Sequence, residues 1–176
     1  MRKLNRSLLG GLAATSLLCA ASAVWADDDN SERNHFKARL KGFTEVPSVS
    51  STGRGEFTAR IRGDDRIDWE LTYEGLEGAV TQQAHVHFGQ RSVNGGVSFF
   101  LCGPAPAAPL PCTPGSGSFS GTATAANIIG PAGQGIAPTE IAELIRAMRA
   151  GKTYANVHTD KHPGGEIRGD IRHGDD

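Results

Sequence analysis

The sequence predicts an all-β protein, an antiparallel β-sandwich or Greek-key barrel carrying one short helix near residues 139–150. Three observations carry that prediction. Apolar and polar residues alternate with period two along much of the chain, 23 glycines and nine prolines punctuate those runs, and helical periodicity emerges once, inside a long connection. Strands do not alternate with helices, which argues against a parallel α/β fold.

Taken in order, Phe36, Ala38 and Leu40 alternate with Lys37, Arg39 and Lys41, the pattern of a strand with one face in the core and one in water. Phe57, Ala59 and Ile61 repeat it, and after the turn signal Gly63-Asp64-Asp65 so do Ile67, Trp69, Leu71 and Tyr73, which predicts a hairpin. Gly53-Arg54-Gly55 has no helix after it and reads as a turn, not a phosphate cradle. Between residues 80 and 88, Ala84, Val86 and Phe88 fall on one side of a strand, and Gln83, His85 and His87 on the other. Residues 97–101 are a short apolar run, and 116–125 a strand of small residues and threonine. Thr139 is placed to cap the helix, Glu140 suits its positive end, Ile141, Leu144, Ile145 and Met148 share a face, and Gly151 closes it. Two last strands, 154–159 and 166–172, flank the turn Asp160-Lys161-His162-Pro163-Gly164-Gly165.

The compartment is read from the first residues. Arg2, Lys3 and Arg6 precede an apolar run over 8–23 and a small-residue cleavage site at Val24-Trp25-Ala26, so residues 1–26 are expected to be a signal peptide and the protein to be exported, periplasmic or secreted. The run is shorter than the roughly 20 residues that span a bilayer, and no second one follows, so no membrane span is expected after cleavage. Residues 27–34 are polar and acidic and are expected to be a flexible N-terminus, leaving 35–173 as one β domain. Losing the three basic leader residues makes the mature chain more acidic than the formal −1 of the whole, which speaks against nucleic acid as a partner. Cys102 and Cys112 then remain as an even pair in a chain bound for an oxidising compartment, which predicts a disulfide closing a proline-rich loop. The alternative, two thiolates on a metal, lacks a CxxC spacing.

The sharpest local feature is Ala84-His85-Val86-His87-Phe88-Gly89. On a strand its two imidazoles project to one face, roughly 7 Å apart along the chain, and can converge on one ion. His158 and His162 would add further nitrogens if their strand packs beside the first, and three or four imidazoles suit copper or zinc. Histidines on a sheet can equally be hydrogen-bonded structural residues. His35 and His173, near the chain ends, are expected to face solvent. No serine has the flanking glycines of a nucleophile elbow, Glu45, Glu74, Glu77 and Glu166 read as solvated carboxylates, and Arg168, between Glu166 and Asp170, reads as part of a cross-strand ion pair.

Several motifs in order carry a family resemblance: Phe36-x-Ala38-x-Leu40, Glu45-Val46-Pro47, Leu71-x-Tyr73-x-Gly75-Leu76, Ala84-His85-Val86-His87-x-Gly89, and Tyr154-x-Asn156-Val157-His158-Thr159 leading to Pro163-x-Gly165-Glu166-Ile167-Arg168-Gly169. From Phe36 to Ile171 the chain resembles the CHRD (chordin-type) domain, named from repeats of an extracellular antagonist of bone morphogenetic proteins and also found as stand-alone exported bacterial proteins. The resemblance implies a non-catalytic binding or structural module for an unknown extracytoplasmic ligand or protein, with Asn156, Glu166 and Arg168 as structural motif residues. Locally, His85-Val86-His87-Phe88-Gly89 also resembles the copper-binding strand of copper/zinc superoxide dismutases, which implies His85, His87 and His158 as metal ligands and His162 as a fourth. No histidine lies between His87 and His158, so that family's bridging and zinc-loop histidines have no counterpart. The second expectation is therefore a copper- or zinc-binding protein with a superoxide-dismutase-like strand.

Overall fold

Period-two alternation produces strands wherever it was read. A computed structural model describes residues 34–174, so the expected leader and most of the flexible N-terminus lie outside the described residues. The strands are β1 (His35–Lys41), β2 (Arg54–Arg62), β3 (Arg66–Glu74), β4 (Thr81–Phe88), β5 (Gly96–Cys102), β6 (Gly117–Ala123), β7 (Thr153–Thr159) and β8 (Ile167–His173). They form one eight-stranded sheet in the order β5-β4-β7-β8-β1-β2-β3-β6, antiparallel at every step. Its two ends, β5 and β6, curl round to lie near each other, giving a nearly closed, barrel-like sandwich. The core is the inward set of each strand, including Phe36, Leu40, Phe57, Ile67, Leu71, Val86, Phe99, Val157 and Ile171, all essentially without solvent exposure.

The β2–β3 hairpin forms in the expected register, Phe57 opposite Leu71 and Ile61 opposite Ile67. Arg54 and Gly55 already belong to β2, so Gly53-Arg54-Gly55 starts a strand and is not a free turn. The helix, α1 (Ile141–Arg149), buries Ile141, Leu144, Ile145 and Met148 as predicted, and Gly151 follows it with φ +63°. Its start differs: Glu140 is the N-cap, and Thr139, at φ +72°, lies outside the helix and makes no side-chain cap. The Glu140 carboxylate reaches back to accept the Ala137 N–H at 2.7 Å, so the acidic residue, not the hydroxyl, organises this end.

The two halves of the sheet differ in what covers their outer face. On β1, β2 and β3 charged residues alternate outward into water, whereas every residue of β7 is buried. A sheet region buried on both sides needs a second layer over it. Here that layer consists of segments 42–49, 89–95 and 160–165, which fold over β4, β7 and β8 and enclose polar residues there.

Among the described residues no helix is long and apolar enough to cross a membrane. Cys102 and Cys112 are bonded to each other, closing the loop after β5. Closure of so short a loop stabilises by about 2–3 kcal/mol in the chain-entropy model. Reduction, or the Cys102→Ser/Cys112→Ser pair, should lower Tm by on the order of 10 °C in a thermal melt while leaving the circular dichroism spectrum of the folded state unchanged.

Candidate metal centre

Register alone assembles the site. Residues directly opposite in an antiparallel pair point to the same face. His85 lies opposite Asn156 across β4–β7, Asn156 opposite Arg168 across β7–β8, and Phe100 opposite His85 across β5–β4. One step along, His87 lies opposite Tyr154, and one step the other way Gln83 lies opposite His158. The outer face of these strands therefore presents three histidines, Asn156, Tyr154 and Arg168 as one patch under the covering loops.

The ligand nitrogens of His85, His87 and His158 all lie within 4.8 Å of one another, and the three residues are only 2%, 9% and 8% exposed. His87 Nδ1 bonds to the Gly95 carbonyl at 2.8 Å and His158 Nδ1 to the Pro163 carbonyl at 2.9 Å. A carbonyl only accepts, so both Nδ1 atoms carry the proton, and the Nε2 of each is left as a bare lone pair. Both Nε2 atoms are buried without a partner, as is Nδ1 of His85. An Nδ1–H held by a carbonyl with Nε2 free is the arrangement in which imidazole binds a metal, the carbonyl fixing tautomer and ring angle. His85 differs in offering Nδ1, and to share one ion at about 2 Å the three nitrogens must draw closer than the separations of up to 4.8 Å that they have here.

Electrostatics keep the cluster neutral. Burial first, then the neighbouring His87 and His158, push His85 down to about 2. Burial brings His87 to about 4, with the Gly95 carbonyl opposing it and His158 and Arg168 reinforcing it. His158 is lowered too, again chiefly by burial. The Asn156 carboxamide sits beside His87 and slightly favours its charged form, yet neither Asn156 Oδ1 nor His87 Nε2 completes a hydrogen bond.

The surrounding shell is built from residues whose burial the sequence does not announce. Asn156 donates to Glu45 at 2.6 Å, and Glu45 is itself buried, its carboxyl pushed up to about 7 by desolvation despite Arg168, Asn156 and the Val46 N–H. Arg168 is 1% exposed and is not in the expected ion pair. Its guanidinium donates to Asn94 Oδ1 at 3.2 Å and to the Val93 and Gln90 carbonyls at 2.9 and 3.5 Å, and lies 3.4 Å over the Tyr154 ring. Tyr154 in turn stacks on His87 at 4.5 Å. Arg168 thus ties loop 89–95 down onto the sheet, because the planar fork matches several carbonyl oxygens at once and its face matches an aromatic ring. Gly95 completes this contact: a Cβ there would run into the Phe88 carbonyl, and its N–H donates to the Tyr154 hydroxyl at 3.1 Å.

Glu166 is likewise not solvated. It is fully buried and accepts from Ser51 Oγ at 2.6 Å, Glu77 N at 2.7 Å, Thr159 Oγ1 at 2.7 Å and Gly78 N at 3.4 Å. Burial alone would raise its carboxyl, but these bonds together hold it below the usual carboxylate value. Of the other candidate carboxylates, Glu74 is exposed, and Glu77 pairs with Lys161 at 2.5 Å. His35 and His173 are half-buried, His173 packing against Phe36, and do not join the cluster.

His162 is also outside the group of three. It lines a groove of about 420 Å³ with Glu45, Pro47, Asn94 and Gly165, and its Nε2 is buried there without a partner. A larger open cleft of about 620 Å³ lies on the charged β1–β3 face and gathers Arg39, Lys41, Arg54, Glu56 and Glu74, none of them buried.

An antiparallel barrel-like sandwich with a loop-covered polar layer over three of its strands defines the class of protein. A family model of the CHRD domain matches residues 36–171, and the chain belongs to the CHRD family. No curated protein matches it.

Two tests address this layer. Glu166→Ala leaves the Ser51 and Thr159 hydroxyls and the Glu77 and Gly78 N–H groups without their acceptor and should destabilise by about 3 kcal/mol in a denaturant titration, whereas Glu74→Ala should change little. The histidines set the acid limb. Unfolded, each takes a proton near 6.5, whereas in the fold His85 stays neutral down to about 2 and His87 to about 4. Below pH 6.5 the unfolded chain therefore binds protons that the fold refuses, and each such histidine removes about 1.4 kcal/mol of stability per pH unit. Glu45 acts oppositely between about 7 and 4.5, since the fold takes up its proton first, and offsets one histidine. Metal-free protein should lose stability steeply between pH 6.5 and 5, and His85→Leu should flatten that slope by about one proton.

Proposed function

We propose that this chain is an exported, non-catalytic CHRD module that holds one copper or zinc ion between His85, His87 and His158. The observation that supports it is the convergence of three buried, neutral imidazoles on one point. Imidazole donors without a carboxylate or thiolate in the group suit copper and zinc, not magnesium or calcium. Burying three unpaired ring nitrogens is otherwise costly, and a bound ion satisfies all three at once. Near-complete burial of the rings favours holding an ion over superoxide turnover, which needs a position open to substrate. The bonded cysteine pair is compatible with an oxidising compartment, as the basic and apolar leader implies.

Zinc or copper at micromolar concentration should bind one per chain in native mass spectrometry. At a hundredfold excess over Kd it should stabilise the protein by about 2.7 kcal/mol. His85→Ala should abolish both effects while retaining its fold; absence of binding and of any Tm shift in the wild type would end the metal reading. Export is checked separately by N-terminal sequencing of protein from the exported fraction, which should begin at Asp27.

A further inference from the structure

Three imidazoles leave a zinc ion one donor short of a closed tetrahedral set, and a copper(II) ion one short of a four-donor plane. Register places Asn156 directly opposite His85, on the same face as all three histidines, and it is 3% exposed. Its two polar ends are in different situations. Nδ2 donates to Glu45 Oε1 at 2.6 Å, whereas Oδ1 is buried beside His87 and completes no hydrogen bond. With Glu45 ionised, the alternative flip of the carboxamide would set its oxygen against a carboxylate oxygen, two acceptors face to face, so the Glu45 carboxylate fixes which end is turned away from it. Glu45 is fixed in turn. Its backbone N–H donates to the Gly42 carbonyl at 3.0 Å, and Gly165, at φ +123°, packs so closely that a Cβ would meet both Glu45 Oε1 and Asn156 Nδ2 at 2.5 Å. Five buried atoms without partners, His85 Nδ1, His87 Nε2, His158 Nε2, Asn156 Oδ1 and Arg168 Nε, thus belong to one patch of the sheet, and the first four carry lone pairs that can act as metal donors.

We propose that Asn156 Oδ1 is the fourth donor of this centre, making an N3O set, and that Glu45 is the residue that positions it. The inference rests on the metal reading above and narrows it. A neutral amide oxygen is a harder donor than imidazole, so an N3O set is matched to zinc or copper(II) in preference to copper(I). It closes the coordination shell without solvent, in keeping with a site that holds its ion. Glu45 stands to Asn156 as the Gly95 and Pro163 carbonyls stand to His87 and His158, each fixing the far side of a ligand.

The test uses the full mature chain loaded with one copper(II). In wild type carrying ¹³C-carboxamide asparagine, pulsed electron–nuclear double resonance should detect coupling to one asparagine carbon together with imidazole nitrogens. Asn156→Ala should remove that coupling, shift the copper(II) spectrum toward a water-completed site and weaken zinc binding by about 10- to 100-fold. Asn156→Asp should restore an oxygen donor and most of the affinity. Glu45→Ala should leave the ligands in place but broaden the copper spectrum as the carboxamide loses its fixed orientation. Wild-type copper bound with no ¹³C coupling, or Asn156→Ala with unchanged spectrum and affinity, overturns the fourth-donor assignment and leaves the three-histidine centre standing. Wild type that takes up neither metal overturns both.

Discussion

Everything distinctive here depends on the relative register of β4, β7 and β8. Because His85, Asn156 and Arg168 lie in one row across three strands, a metal-ligand type, an amide and a guanidinium share one face of the sheet. A slip of one residue at either pairing would send one of them into the barrel interior among Ala84, Val86, Ala155 and Val157, all without solvent exposure. The interior therefore enforces the site: the apolar set has one acceptable register, and the polar set follows on the reverse.

That reverse face would ordinarily lie in water. Arg168 is what lets it be covered. Buried beneath loop 89–95, it gives the loop's carbonyls a donor that water would otherwise supply, and the Tyr154 ring beneath it carries the contact on to His87. The same loop then supplies the Gly95 carbonyl that sets the tautomer of His87. Glu166 does the corresponding work at the other end, gathering segments 51 and 77–78 onto Thr159. Each buried charge thus organises a loop, Glu166 through four hydrogen bonds and Arg168 through its two terminal nitrogens, its Nε alone lacking a partner.

Much of the fold was legible because it depends on local pattern. Alternation located β1 to β4, a short apolar run and a small-residue segment marked β5 and β6, a turn between two runs marked β7 and β8, the Gly63-Asp64-Asp65 turn gave the β2–β3 hairpin, and the apolar stripe from Ile141 to Met148 gave the helix. The three histidines could be grouped only conditionally, since alternation assigns a side to His85 and His87 but says nothing about which strand lies next to them. Burial of that side was not legible at all. Most partners of Arg168 are backbone carbonyls of a loop, which leave no residue-type signature, and the solvated reading of Glu45 and Glu166 failed because, Thr159 apart, their partners lie more than 80 residues away or in backbone amides. Thr139 failed as a cap for a local reason, its positive φ taking its side chain out of capping position.

The seam of the sandwich bears on how these molecules behave in company. A sheet that does not quite close has two rims, β5 and β6, and a rim of unused amides and carbonyls invites another chain to add itself as a further strand. Here the rims face each other, Ile129 N–H occupies the Ser98 carbonyl, and Pro109 and Leu110 of the disulfide-bound loop sit with Trp69 and Phe99 over a cavity of about 100 Å³ at the join. The short covalent loop thereby covers part of the join, and an edge covered in this way offers less to a neighbouring chain seeking to add a strand.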